Sequence, residues 1–367
     1  MGDTDRLKYK DMIVLDAHCD APSQMVRLRD FGVDNAFAQV DFPKMRRGQV
    51  DASFYAAYVP ARLQGQAATD YANRLLDECF RQVSQNADTV AFARCSGGIR
   101  RNRKAGLGSV ILAIENASAI QEDFSLLKAF YRRGVRYITL THSADNQVGD
   151  SCTGAGTWGG LSPFGKTLIP EMNRCRMLID VAHAADTTIR DVLALSSRPI
   201  AYTHGGCRAL ASHRRNLPDE LIRGIAEAGG VVCISIYPPF LSDDFVQTLA
   251  ESGLEKKMSV EDAFIADPAD PAKRAAWEAV QLELQALPRP GVDRVADHIE
   301  HAVSVAGIDH VGIGTDYDGI EVTVAGLEDI SRFPALWDEL RRRGFSARDL
   351  TRLAGANLLR LLTAIRK

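Results

Sequence analysis

Runs of apolar residues alternate with amphipathic segments along the whole chain. Helical spacing of apolar residues predicts helices over 69–93, 121–133, 186–196, 218–228 and 293–306, with a last helical stretch over 345–366. The apolar runs predict eight strands, near 12–17, 51–57, 109–114, 135–141, 177–181, 199–203, 230–236 and 310–315. Near-continuous apolar strands that alternate with helices are typical of a parallel sheet whose two faces are covered. Eight such units predict an α/β protein of the (β/α)8 TIM-barrel class.

Two segments that follow predicted strands are longer than ordinary connections. Residues 142–169 form a Gly-rich loop, and residues 237–292 form a longer excursion with a helix of its own over 271–287. Long loops in a compact domain are frequently active-site lids. A length of 367 residues is also compatible with two domains, but α/β barrels commonly hold a chain of this size in one. We therefore predict a single barrel domain over 1–367, with 237–292 as a helical insertion or lid.

The charge and the cysteine pattern narrow the class of protein. The chain has 44 basic and 47 acidic residues, a net charge of −3, and no basic block, so neither nucleic acid nor a membrane is an expected partner. The N-terminal MGDTDRLKYKDM lacks the apolar core of a secretion signal. Seven scattered cysteines without a C-x-x-C pattern indicate reduced thiols. We predict a cytoplasmic protein, and an exposed side of the barrel could support a homodimer.

Ionisable side chains stand at the ends of six predicted strands. They are His18 and Asp20 in MIVLDAHCD, Glu115 in SVILAIE, His142 in YITLTH, His183 in LIDVAH, His204 in IAYTH and Asp316 in VGIGTD. The carboxyl ends of barrel strands meet at one face, where active sites form. In an extended strand, residues two apart point to the same side, so His18 and Asp20 are expected to converge. A hydrogen-bonded structural histidine is the alternative at any single position, but the concentration at strand ends favours a shared site.

Three histidines, an aspartate and a glutamate on one face favour a metal centre. Buried charge is costly unless something neutralises it, and imidazole together with carboxylate suits Zn²⁺. Five such groups exceed what one zinc ion usually takes from a protein, so two ions that share a carboxylate are the simplest arrangement. Glu115 is the natural bridge because its strand lies between the strands of the other groups. Manganese, cobalt or iron would accept the same ligands.

In their order along the chain, these motifs resemble those of the membrane dipeptidase (renal dipeptidase) family of amidohydrolase-like barrels. The matching segments are His18-x-Asp20, Glu115, DVAH, YTHGG, RRNLPDE (214–220) and GTDYDG (315–319). The resemblance implies two zinc ions per chain. It implies that His18, Asp20 and Glu115 bind one ion and that Glu115, His183 and His204 bind the other.

The resemblance also implies roles for three further residues. His142 matches the histidine that contacts the substrate and stabilises the tetrahedral intermediate. Arg215 matches the arginine that holds the terminal carboxylate of the substrate, although the neighbouring Arg214 is a rival. Asp316 matches the acid/base that takes a proton from the attacking water and delivers it to the leaving amine. Asp318 lies at the same-face interval, and we prefer Asp316 because it ends the strand directly.

The resulting hypothesis is a binuclear zinc dipeptidase. The family resemblance implies hydrolysis of small dipeptides, with L-Xaa-D-Xaa as the expected class, by attack of a hydroxide that bridges the metals. The alternative is an amidohydrolase that acts on another small carboxylate-bearing amide, such as an N-acyl amino acid or a lactam, because that reaction would use the same residues. A catalytically inactive barrel would be expected to lack a ligand or the acid/base, and none is missing.

Overall fold

Parallel strands form one sheet in the computed structural model, which describes residues 9, 11–27, 30–260, 263–264 and 267–366. The strands are β1 (Leu15–Cys19), β2 (Ala52–Tyr58), β3 (Val90–Phe92), β4 (Gly108–Glu115), β5 (Val135–Thr139), β6 (Leu178–Asp180), β7 (Ala201–Tyr202), β8 (Val231–Ile234) and β9 (Val311–Ile313). Their spatial order is β1-β2-β4-β5-β6-β7-β8-β9, and β3 pairs with β4 outside that path. The segment after β9 returns to β1, where the Asp20 amide donates to the Tyr317 carbonyl at 2.8 Å. The eight strands of the path therefore form a nearly closed barrel, and the predicted fold class is confirmed.

Helices follow most of the strands and cover the outside of the barrel. They are α1 (Ala21–Met25), α2 (Phe42–Arg47), α3 (Gly65–Gln85), α4 (Ser96–Lys104), α5 (Phe124–Arg133), α6 (Pro163–Cys175), α7 (Asp186–Leu195), α8 (Asp219–Glu227), α9 (Pro238–Leu241), α10 (Asp243–Ser252), α11 (Pro271–Gln285), α12 (Val292–Ala306), α13 (Phe333–Arg342), α14 (Ala347–Thr351) and α15 (Asn357–Ala364). A π-helical turn joins α14 to α15. Among the described residues, no helix has both the length and the apolar character needed to cross a membrane.

Two sequence-based predictions about elements are wrong. The helix predicted over 69–93 ends at Gln85, and the short strand β3 occupies Val90–Phe92. The loop predicted over 142–169 ends early, because α6 begins at Pro163 after the N-cap Ser162, whose hydroxyl accepts from the Gly165 amide at 2.9 Å. Gly165 and an internal proline argue against a helix on propensity alone. Packing requires that glycine, since a Cβ there would lie 2.0 Å from the Val148 carbonyl oxygen.

The barrel interior is filled by side chains and is closed at one end by the last helix. Leu15, Phe54 and Ile111 are buried inside the sheet and form one apolar cluster with residues of α15 such as Leu358. The Asn357 side chain donates to the carbonyl of Val311, at the start of β9, at 2.8 Å. Helix α15 therefore covers the amino-terminal end of the barrel and leaves the carboxyl end of the strands for a site.

The 237–292 excursion contains α9, α10 and α11 and has its own small apolar cluster. Phe245, Leu249 and Leu284 pack there with Val322, which lies in the segment after β9. The excursion begins directly after β8, so it stands on the same face of the barrel as the strand-end residues. Whether it acts as a lid stays a prediction.

His298 of α12 joins the start of this excursion to the loop after β7. Its Nδ1 accepts from the Cys207 amide at 3.0 Å, and its Nε2 lies 3.1 Å from the Leu241 carbonyl oxygen, to which it donates. The imidazole is fully buried, and this burial lowers its pKa from 6.5 to about 4. The histidine is therefore neutral in the folded protein at neutral pH.

Acidification should destabilise the protein through His298. As the pH falls below 6.5 towards 4, the unfolded chain binds a proton that the folded protein excludes, so the stability present above pH 6.5 is lost. When the pH is lowered from 7 to 5, we expect the wild type to lose about 2 kcal/mol more of its free energy of unfolding than His298→Gln loses. Urea unfolding of both proteins with excess chelator measures this difference. An equal pH dependence in the two would contradict it.

Candidate metal centre and active site

The strand-end residues meet at the carboxyl end of the barrel. Glu115 is the last residue of β4, His18 lies in β1, and His183, His204 and Asp316 follow β6, β7 and β9 within three residues. Asp20 lies beyond β1 in a turn conformation, with φ −95° and ψ 25°, rather than in the extended strand that the sequence argument assumed. The two side chains still converge, since His18 Nε2 is 3.4 Å from Asp20 Oδ2.

The Glu115 carboxylate stands between two groups of side chains. Its Oε2 is 3.6 Å from His18 Nε2, on the side of Asp20. Its Oε1 is 2.9 Å from His183 Nε2 and 3.5 Å from His204 Nε2. Each group, counted with Glu115, has three potential ligand atoms within 4.8 Å of one another. One carboxylate could therefore serve two cations.

The chemistry of these donors fits divalent cations. The Nε2 atoms of His183 and His204 face each other at 2.9 Å, and burial lowers the pKa of both imidazoles well below its ordinary value. Two neutral imidazoles that point into a carboxylate cluster are typical of metal ligands. The buried Asp20 Oδ1 has no hydrogen-bond partner. A cation in the group of His18, Asp20 and Glu115 would satisfy an oxygen that the protein alone leaves unpaired.

The buried charges of the cluster also favour binding of divalent cations. Burial raises the pKa of Glu115 well above its ordinary value, because a charged carboxylate is poorly solvated there. Burial opposes protonation of His18, but the carboxylates of Glu115, Asp20 and Asp316 raise its pKa to about 10. Several buried acids around one imidazole leave negative charge that a divalent cation would neutralise.

His142 lies at the edge of this cluster. Its Nε2 is 4.0 Å from Glu115 Oε1, and its ring packs against that of His183 with 4.1 Å between the centroids and 34° between the ring planes. Burial and the nearby Arg215 cation lower its pKa to about 3, so the imidazole is neutral. Its Nδ1 is buried without a hydrogen-bond partner. A neutral imidazole at this place can donate a hydrogen bond to a bound group.

The structure separates the two candidate arginines. Arg214 is exposed, whereas Arg215 is 5% exposed and its guanidinium lies 5.2 Å from the centre of the Phe240 ring. Arg215 donates to the His204 carbonyl at 3.2 Å and to the Tyr202 hydroxyl at 3.3 Å, and its Nε has no partner. It is a buried cation held by neutral groups. Phe240 belongs to α9, so the excursion contributes to this wall of the site.

The two candidate aspartates also differ. Asp318 accepts from the backbone amides of Gln39 at 2.8 Å and Val40 at 3.3 Å, so it anchors a loop. Asp316 Oδ1 instead lies 3.7 Å from His18 Nε2, and burial raises the pKa of Asp316 to about 7. Asp316 also forms a third possible ligand group with His18 and His204. Its carboxyl can accept or release a proton near neutral pH.

Buried residues beneath the site were not identified from the sequence. Asp16 and Asp180 are fully buried in the strands, and the Tyr137 hydroxyl lies 2.7 Å from His18 Nδ1. An available signal was the acidic residue inside an apolar strand shortly before a candidate ligand histidine, in LDAH and in DVAH. Ionised aspartate is almost never fully buried without partners, so such a position indicates a hydrogen-bond network.

Comparisons with known proteins identify relatives over nearly the whole chain. The sequence profile described as "Membrane dipeptidase (Peptidase family M19)" matches residues 5–367. Dipeptidase aclJ of Aspergillus oryzae is 32% identical over 338 residues, which cover 90% of this chain and 70% of that protein. The probable dipeptidase PvdM from Pseudomonas aeruginosa has the same fold, with a TM-score of 0.82, 24% identity and coverage of 99% and 98% of the two chains. A metallopeptidase from Rhodobacter sphaeroides, crystallised with a phosphinate mimic of the dipeptide L-Ala-D-Ala, gives a TM-score of 0.79, 23% identity and coverage of 96% and 99%.

Proposed function

The chain belongs to the membrane dipeptidase family (peptidase family M19), and on that premise we propose that it hydrolyses L-Xaa-D-Xaa dipeptides at a centre of two zinc ions. That it is a metal-dependent dipeptidase follows from the family. We assign His18 and Asp20 to one ion and His183 and His204 to the other, with Glu115 shared. The two overlapping groups of potential ligand atoms support this division.

The residues of the chain supply binding and proton transfer. When bound, the two ions would lower the pKa of an attacking water molecule and polarise the scissile carbonyl. Asp316, whose Oδ1 lies 3.7 Å from His18 Nε2, would take a proton from the attacking water and deliver it to the leaving amine. His142 would donate a hydrogen bond to the oxygen on which negative charge develops.

The single observation that carries the substrate assignment is that Arg215 is buried beside the proposed metal ligands without an anionic hydrogen-bond partner. An arginine that is 5% exposed, with an unpaired Nε and only neutral hydrogen-bond partners for its guanidinium, fits a carboxylate that the substrate brings. An arginine that holds the terminal carboxylate beside the metal ligands would confine cleavage to the last peptide bond of a substrate. This restriction supports a dipeptidase over an endopeptidase.

The stereochemical part of the proposal rests on the family resemblance and on the ligand of the Rhodobacter sphaeroides metallopeptidase, a mimic of L-Ala-D-Ala. A panel of L-L, L-D and D-D dipeptides, with N-acetyl amino acids beside them, tests it in the zinc-loaded protein. We expect the L-D dipeptides to have the highest kcat/KM. Hydrolysis of only the N-acetyl compounds would favour the alternative amidohydrolase, and no hydrolysis of any dipeptide would refute the proposal.

Replacement of Arg215 by Lys should weaken substrate binding because an ammonium cannot form the two parallel hydrogen bonds of a guanidinium. Loss of a buried, charge-assisted contact costs about 2–5 kcal/mol, so we expect kcat/KM to fall by at least about 30-fold. The matched control is Arg214→Lys, an exposed neighbour, which should stay within about twofold because surface substitutions cost little. With dipeptide amides as substrates, which lack the carboxylate, wild type and Arg215→Lys should become similar. A loss in Arg215→Lys as large with the amides as with the free dipeptides would contradict the carboxylate contact.

A further inference from the structure

A buried carboxylate lies one layer below the proposed metal ligands. Asp180, the last residue of β6, is fully buried and accepts four hydrogen bonds. Its Oδ1 accepts from the amides of Ala182 at 3.1 Å and Thr203 at 3.0 Å. Its Oδ2 accepts from the hydroxyls of Thr139 at 2.6 Å and Thr203 at 2.8 Å. Both hydroxyl protons are therefore committed to Asp180.

The Thr203 hydroxyl also faces the ring of His204. Thr203 Oγ1 is 3.0 Å from His204 Nδ1, and both residues are buried. A hydroxyl has one proton, and Thr203 gives it to Asp180, so only a lone pair remains for the imidazole. This contact is a hydrogen bond only if Nδ1 carries a proton. The neutral ring must then have its free lone pair on Nε2, which points towards Glu115 and His183.

We propose that Asp180 and Thr203 are positioning residues that hold His204 in the Nδ1-protonated tautomer, with Nε2 ready to bind a metal. The inference rests on the proposed metal centre and adds how one of its ligands is prepared. Metal-binding histidines commonly donate their other N–H to an oxygen, which sets the ring orientation and the tautomer. Here the oxygen is a hydroxyl whose own direction is set by a buried carboxylate.

A similar pairing at the other side of the barrel shows what is particular to Thr203. Asp16 accepts from the Thr315 amide and the Thr315 hydroxyl, each at 2.9 Å, just before Asp316. Pairs of this kind anchor the ends of neighbouring strands. The Thr203 hydroxyl donates to Asp180 in the same way and in addition contacts Nδ1 of His204, a proposed ligand. Its removal should therefore lower metal affinity as well as stability.

The tautomer can be observed directly in the wild-type protein. In full-length protein labelled with ¹⁵N-histidine and freed of metal by chelation, two-bond ¹H–¹⁵N spectra distinguish the protonated nitrogen of a neutral imidazole from the unprotonated one. The His204 signals are identified by their loss in His204→Gln. We expect a protonated Nδ1 and an unprotonated Nε2. A protonated Nε2 would overturn the inference, and this experiment does not depend on a folded Thr203 variant.

Zinc affinity provides the second readout, measured by competition with a chromophoric chelator. Thr203→Val removes the hydroxyl that accepts from His204 Nδ1. It should weaken binding of the zinc ion held by His183 and His204 by about 10- to 100-fold, whereas Thr203→Ser should keep the wild-type affinity. Thr139→Val is the matched control because it deletes an equally buried hydroxyl that donates to the same Asp180 oxygen but does not contact His204. Equal affinities of the two valine variants would overturn the role of Thr203 alone. Failure of the wild type to bind zinc would overturn the proposed centre as well.

Discussion

Replacement of Glu115 by Gln is expected to remove both metal ions and with them the dipeptidase activity. In the proposed centre this carboxylate serves both ions, with Oε2 facing His18 at 3.6 Å and Oε1 facing His183 at 2.9 Å. A neutral amide is a poor substitute for a shared anionic ligand. Loss of a residue that only hydrogen-bonds to a metal ligand already weakens metal binding by about 10- to 100-fold, so loss of the shared ligand should weaken binding of each ion further.

The fold should survive this change, which makes the result interpretable. Burial raises the pKa of Glu115 well above its ordinary value, so the metal-free protein already disfavours the charge there and a neutral amide of equal size is tolerated. Chelation should lower the Tm of the wild type and leave the Tm of Glu115→Gln unchanged. Metal content, activity and Tm are compared with those of Glu122→Gln, an exposed neighbour. A Glu115→Gln protein with two zinc ions per chain would contradict the bridging role.

Replacement of Asp316 by Asn should lower kcat by about 10²- to 10⁴-fold, the usual contribution of a general acid/base. An amide at this place cannot accept the proton of the attacking water or return it to the leaving amine. Because Asp316 lies outside the two assigned ligand sets, metal content should stay near the wild-type value and KM should change little. Steady-state kinetics together with elemental analysis of the same preparation measure all three quantities.

Asp318→Asn is the matched comparison for this prediction. Asp318 anchors a loop through the amides of Gln39 and Val40, so its replacement should lower stability and affect kcat less than Asp316→Asn does. Loss of metal from Asp316→Asn would instead identify Asp316 as a ligand, in the third group that it forms with His18 and His204. A fully active Asp316→Asn protein would eliminate it as the acid/base.

The strands and most helices could be predicted because their apolar periodicity is continuous. Each strand of the barrel path overlaps a predicted apolar run and ends within two residues of its predicted end. The bounds of α7, α8 and α12 differ from the predicted bounds by at most one residue. The errors arose where tertiary contacts override local preference. Helix α6 contains Gly165, although glycine disfavours helices, because a side chain at this position would collide with the Val148 carbonyl oxygen. The strand β3 forms because its edge pairs with β4, and three residues are too few for a periodic signal.

The order of polar residues along the chain was sufficient to predict a barrel with a cluster of ligands at one end, since every parallel strand delivers its last residues to the same face. The sequence favoured Arg215 and Asp316 but did not exclude their rivals Arg214 and Asp318, because the two members of each pair offer the same chemistry. Folding distinguishes them by burial and by partners: one member of each pair reaches the centre, and the other meets solvent or a backbone amide. The Asp180–Thr203–His204 chain was likewise hidden, because Asp180 ends β6 while Thr203 and His204 follow β7, and the two segments become neighbours only when these strands pair.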